Sequence, residues 1–222
     1  MAEIWWITLL TVAMAGAATL LILPVGLLLA WALTRGRFPG RVLLETFVSL
    51  PLVMPPVATG LVLLFILAPR GALGPMLARL GIEIVFTWKA AVIAMAVMGL
   101  PLLVRTARAG FEQVDRRYES VAATLGANPL RVFLSVTLPL ALPAVAAGAV
   151  LAFARSIGEF GATMMIAGSI PGSTRTLSVA IYSFAETGRD TEAAQLVGVS
   201  AALAFAALWL SNWITTRAAG RQ

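Results

Sequence analysis

Long apolar runs without a single charge recur along this chain, and they constrain its fold more than any other feature. A bilayer core about 30 Å thick takes about 20 helical residues at 1.5 Å each. The stretch from Ile4 to Thr34 meets that length but is too short for two crossings with a turn, so it reads as one long or tilted helix, bent near Pro24. Four further blocks follow: Thr46 to Pro69, Ala90 to Val104, Val132 to Ala154 and Ala193 to Thr216. The third span is expected to begin a turn or more before Ala90, with Lys89 snorkelling. These blocks predict an all-α integral membrane protein of about five transmembrane helices. Composition agrees, because 60% of the residues are hydrophobic and only 12% charged, against about a quarter charged in a soluble domain.

The chain contains no cysteine and no histidine. Disulfides, haem ligation and the usual zinc and copper sites are therefore excluded, and no metal or cofactor is expected. The net charge of +6 comes from basic residues scattered between apolar blocks, which is the pattern of membrane flanks and not of a nucleic-acid surface. Placing Arg35, Arg37 and Arg41 in the cytoplasm also puts Arg105, Arg108, Arg116, Arg117, Arg131, Arg217 and Arg221 there. Arg70, Arg79, Lys89, Arg155, Arg175 and Arg189 fall on the other side. This bias predicts a multi-pass protein with its N-terminus outside and its C-terminus inside. The opening Met-Ala-Glu-Ile-Trp-Trp lacks the basic start of a secretory signal, so no cleaved leader is expected.

The connection between the third and fourth spans, about 112–139, is too polar to cross and too patterned to be a flexible loop. Val114, Tyr118, Val121, Ala122 and Leu125 recur at helical spacing, with Asp115, Arg116, Arg117 and Glu119 turned toward water or a partner. Gly126 then suits a left-handed helix end, and Asn128-Pro129 suits an N-cap followed by proline at the first helical position. A second helix is predicted from Pro129 to about Thr137, before Leu138-Pro139 redirects the chain into the fourth span. The plain alternative is an amphipathic helix resting on the membrane surface.

The run Glu119-Ser-Val-Ala-Ala-Thr-Leu-Gly126, continued after nine residues by Val136-Thr-Leu-Pro139, resembles the EAA loop of ABC-importer permeases. The match departs at the Glu-Ala-Ala slots, which hold Ser120-Val121-Ala122, with the nearest acid one place earlier at Glu119. The resemblance implies the type I importer permease fold as one domain over 1–222, with this loop as the cytoplasmic coupling element. Glu119, Ser120, Val121, Ala122, Ala123, Gly126, Ala127 and Pro139 would then meet a separate ATP-hydrolysing subunit that binds ATP and Mg. A chain whose one lysine is Lys89 has no nucleotide-binding loop of its own.

Two other stretches extend the resemblance toward permeases for tetrahedral oxyanions, molybdate above all, with sulfate and tungstate left open. One is Leu50-Pro51-Leu-Val-Met-Pro55-Pro56-Val-Ala-Thr-Gly60; the other is Arg155-Ser-Ile-Gly-Glu159-Phe-Gly-Ala-Thr163 with Pro171-Gly-Ser-Thr-Arg175 beyond it. Prolines at membrane depth free carbonyls and are tolerated beside a cavity or a neighbouring helix. Arg155 and Glu159 share a helix face, where an ion pair for packing and a functional site are equally open. Pro55, Pro56, Arg155, Ser156, Glu159 and Thr163 are thus candidates for a translocation pathway. The partners implied are a second, identical permease copy, ATP-binding subunits and a periplasmic oxyanion-binding protein, all around an inner membrane. A proton-coupled carrier is the competing class; only Glu159 and Glu45 could serve it.

Overall fold

The computed structural model describes residues 2–36 and 38–219, so Arg37 and Arg221, counted above among the cytoplasmic charges, lie outside the described residues. The chain forms α1 (Ala2–Arg35), α2 (Arg41–Val53), α3 (Pro56–Leu67), α4 (Gly74–Arg79), α5 (Trp88–Gln113), α6 (Arg116–Thr124) and α7 (Pro129–Val132). A π turn (Phe133–Thr137) leads into α8 (Leu138–Ile157), followed by α9 (Gly161–Ala167), α10 (Leu177–Glu186) and α11 (Asp190–Ala219). Among the described residues four helical rods are long and apolar enough to cross a membrane: α1, α5, α7 through α8, and α11. The pair α2 and α3 makes a fifth, broken span.

The centre of the bundle is α5, with 67% of its apolar window buried against 17% for α11. Small residues let its neighbours approach. On α1, Thr11, Ala15, Ala18, Ile22, Gly26 and Ala30 are buried at helical spacing, and a Cβ on Gly26 would fall 2.6 Å from a Leu103 methyl. On the other flank a Cβ on Gly110 would fall 2.4 Å from that of Ala144. In lipid, close backbone approach replaces water-driven burial as the source of helix association. Ser156 adds a polar tie, donating to its own Ala152 carbonyl at 2.9 Å and reaching the Met95 carbonyl of α5 at 3.3 Å.

Three expectations need correction. The block from Thr46 to Pro69 is not one rod: α2 and α3 meet at 115°. Tandem prolines push the residue before each into extended backbone, and Met54 (ψ 141°) and Pro55 (ψ 131°) both obey. Neither half, at 13 and 12 residues, spans about 30 Å alone. The third span opens at Trp88, about half a turn before Ala90 and less than a full turn earlier. Nor does Leu138-Pro139 redirect the chain. Helix continues from Pro129 to Ile157, because the wider π turn closes through Leu138 N–H to the Phe133 carbonyl and so absorbs the ring of Pro139, which would crowd an ordinary α turn. α1 likewise runs through Pro24 without interruption.

Candidate coupling loop and translocation cleft

The loop after α5 is built by local backbone rules. Asp115 caps α6 by accepting from Arg117 N–H at 2.9 Å. Gly126, at φ +84°, ends it, with Gly126 N–H donating to Ala123 and Ala127 N–H to Ala122 in a Schellman arrangement. Asn128 then caps α7 through Arg131 N–H at 2.8 Å, with Pro129 at its first position. The result is a stiff helix, turn, helix.

Asp115, Arg116 and Arg117 are exposed, as periodicity suggests, but Val114 and Glu119 are not. Tyr118, Val121 and Leu125 form an apolar ridge that points away from the bundle, Leu125 being 83% exposed, while Val114 is buried. Glu119 does not turn toward water. Together with Arg116, Ser120 and Ala123 it faces an open cavity of about 460 Å³, whose far wall includes Trp31, Arg35, Phe133 and Thr137. Glu119 Oε1 accepts from Arg35 Nη2 at 2.7 Å and from the Thr137 hydroxyl at 2.6 Å. The reason is the half-buried guanidinium of Arg35, which needs a counter-charge out of water. Ala127 lines the same cavity, Ala122 is half-buried, and Pro139 is exposed at the start of α8.

At the opposite end of α8 a second group of elements comes together. The N-terminal ends of α3 and α9 abut: a Cβ on Gly161 would lie 2.9 Å from that of Pro56 and 3.0 Å from Val57 N, and one on Gly60 would lie 2.7 Å from the Ala162 backbone. The two proline- and glycine-bearing stretches therefore pack on each other. Arg155 Nη1 meets Glu159 Oε2 at 2.7 Å, and the other carboxylate oxygen accepts from Ala162 N–H at 2.8 Å. Glu159 is 1% exposed, so it serves as counter-ion and helix cap at once. Thr163 and Thr59, on α9 and α3, carry buried hydroxyls with no partner among the described residues. α10 covers this region through Ser178, which donates to the Ile157 carbonyl at 3.2 Å, and through Tyr182, whose ring lies tilted against that of Phe160 with centroids 5.1 Å apart.

Residues 22–220 match the family described as the binding-protein-dependent transport system inner membrane component. The chain belongs to this family. It is an inner-membrane, multi-pass transport permease, a component that moves a solute and is not an enzyme. The molybdenum transport system permease protein ModB of Escherichia coli (strain K12) is 46% identical over 212 residues, covering 95% of this chain and 93% of that protein. ModB of Haemophilus influenzae is 42% identical, covering 94% and 92%. The sulfate transport system permease protein CysT of Escherichia coli (strain K12) is 43% identical over 157 residues, 71% of this chain and 57% of its own. Among solved structures, a bacterial ABC transporter that imports alginate superposes with a TM-score of 0.72 at 17% identity, over 98% of this chain and 80% of that one. An amino acid ABC transporter gives 0.65 at 17%, over 97% and 94%. At that identity they speak for the fold alone.

Within this permease the candidates sort unevenly. Pro56, Glu159 and Thr163 converge at the junction of α3 and α9, and Pro55 supplies the elbow above it. Ser156 is fully buried and spent on helix contacts, and Arg155 is neutralised by its own helix neighbour. Sequence reasoning missed Arg35, Thr137 and Thr59, which lack any local pattern. It also passed over Arg175 as a site residue. Arg175 Nε donates to Ser169 Oγ at 3.1 Å, that hydroxyl lies 3.3 Å from Ser183 Oγ, and among the described residues no carboxylate comes within ion-pair distance of it.

Proposed function

We propose that this permease carries molybdate, or a closely related tetrahedral oxyanion, into the cytoplasm as the membrane half of an ATP-driven importer working by alternating access. The observation that carries the reading is the ridge of Tyr118, Val121 and Leu125, apolar side chains held outward on a rigid loop in a chain with no nucleotide-binding loop. Such a face fits a groove on a separate ATP-binding subunit, which would hold the ATP and Mg. Val121 and the turn at Gly126 would enter that groove; Ser120, Ala122, Ala123 and Ala127 would border it, with Pro139 at its edge. Residue identity with the molybdenum permeases supports the substrate.

A second copy of the chain would complete the pathway. No residue of α2 is buried, and on α3 only Thr59 and Gly60 are, so beyond the seam of α3 with α9 and the pair of Glu45 with Arg108 one copy leaves much of its elbow uncovered. A periplasmic binding protein would deliver the anion, the N-terminus lying outside and the C-terminus in the cytoplasm in keeping with the arginine bias. Along the route the free charge of Arg175 and the unpartnered hydroxyls of Thr59 and Thr163 attract an oxyanion weakly, as passage requires. Arg155, already paired, contributes less. Glu45 and Glu159, the carboxylates available to a proton-coupled carrier, are both engaged by arginines, which weighs against that class.

The test is ATP hydrolysis by the chain reconstituted in lipid with its ATP-binding subunit and binding protein. Molybdate and tungstate are expected to stimulate it over sulfate. Stimulation by sulfate alone would move the substrate to that of the CysT-like relatives and keep the mechanism. Failure of the chain to hold any ATP-binding subunit would sink the coupling reading.

A further inference from the structure

We infer that Glu119 is the residue through which the coupling loop pulls on the membrane spans, a positioning residue within this chain and not a contact to the ATP-binding subunit. The inference rests on the coupling role proposed above. No residue of α6 is buried, so the helix has little packing through which a displacement could travel into the bundle. Its inward-facing carboxylate supplies the missing link. One oxygen, Oε1, accepts from Arg35, the last residue of α1, and from Thr137, the last residue of the π turn. Arg35 Nη2 also points at the Phe111 carbonyl near the end of α5, at 3.5 Å. Two of the long rods therefore meet at a single carboxylate oxygen, and the third, α5, joins them through Arg35.

The surroundings make this junction stiff on one side and compliant on the other. Beneath it the rings of Trp31 and Phe111 both meet Phe133 edge-on at 5.7 Å, locking α1 and α5 to the start of the π turn. Above it Arg35 Nε is buried without a partner among the described residues, where the guanidinium has no stronger anchor than Glu119. Thr137 sits where the helix is widened, and π turns are points at which a rod can re-wind. A push on the Tyr118, Val121 and Leu125 ridge is thus delivered through Glu119 to the end of α1 and to the one deformable turn of the α7 to α8 rod.

The experiment compares Glu119→Gln, Thr137→Val and the exchange Arg35→Glu with Glu119→Arg in the full complex, reading anions imported per ATP hydrolysed. Glu119→Gln is expected to lower that ratio by ~tenfold and Thr137→Val by ~threefold while the ATP-binding subunit stays bound, with the exchange recovering much of the loss. Uptake and hydrolysis falling in parallel, with the ratio unchanged, would mean a merely structural role and overturn the inference. Loss of the ATP-binding subunit from Glu119→Gln alone would instead make Glu119 a partner contact. A second readout needs only this chain in lipid nanodiscs: in Glu119→Gln, amide exchange over residues 116–127 should rise by ~tenfold with that of α5 unchanged. No change there overturns the clamp even if the wild-type complex proves not to be an importer at all.

Discussion

The permease contains two buried-side ion pairs of the same length, 2.7 Å, that differ in almost everything else. Arg155 and Glu159 stand four residues apart on consecutive turns, and the carboxylate goes on to cap the next helix. Arg35 and Glu119 are separated by 84 residues and join elements with no other strong tie. The first pair closes a local structure and would exist in any arrangement of the remaining spans. The second exists only because the bundle has assembled, so it reports on, and can respond to, the relative position of its parts. A short pair stabilises a shape; a long one can transmit a change of shape.

The sharpest way to break this contrast is Glu159→Ala. It strands Arg155 in a poorly hydrated site and uncaps α9, and should cost ~3–5 kcal/mol in thermal unfolding of the detergent-solubilised chain; replacing Arg155 and Glu159 together by methionine should cost less. Glu119→Ala should cost only ~1–2 kcal/mol by the same measurement, since its side chain remains 19% exposed and that of Arg35 16%. An equal cost at both sites would dissolve the distinction. Gly126→Ala puts a side chain at φ +84° and should destabilise the loop by ~1 kcal/mol, visible as weaker binding of the ATP-binding subunit. The smallest effect belongs to the exposed pair of Arg108 and Glu112, with Glu112 50% exposed. Glu112→Gln should change stability by less than ~0.5 kcal/mol and lose even that in high salt.

The same contrast explains what was legible in the sequence. Arg155 and Glu159 were visible from helical spacing, and Gly126 and Asn128-Pro129 from backbone rules that act within a few residues. The membrane class followed from composition. The break at Met54 was announced by Pro55 and Pro56 yet hidden inside one apolar block, because hydropathy measures what a stretch is made of and not which way it runs. The inward turn of Glu119 had no local sign, since its reason is a guanidinium that only the folded bundle brings alongside. Arg175 was likewise opaque: its distinction is the lack of an acid nearby in space.

The π turn at Phe133–Thr137 has a consequence for how such a permease can diversify. It holds one residue more than an ordinary turn would, and each residue of a helix accounts for about 100° of rotation. Losing that residue would turn α7 and Phe133 by about a quarter of a circle relative to α8, parting Phe133 from Trp31 and Phe111 while leaving the contacts of α8 with α5 and α11 in register. A single codon deletion here is a steering adjustment: it would re-aim the loop toward a differently shaped ATP-binding subunit at the expense of the ring cluster beneath the loop, and leave the rest of α8 where it is.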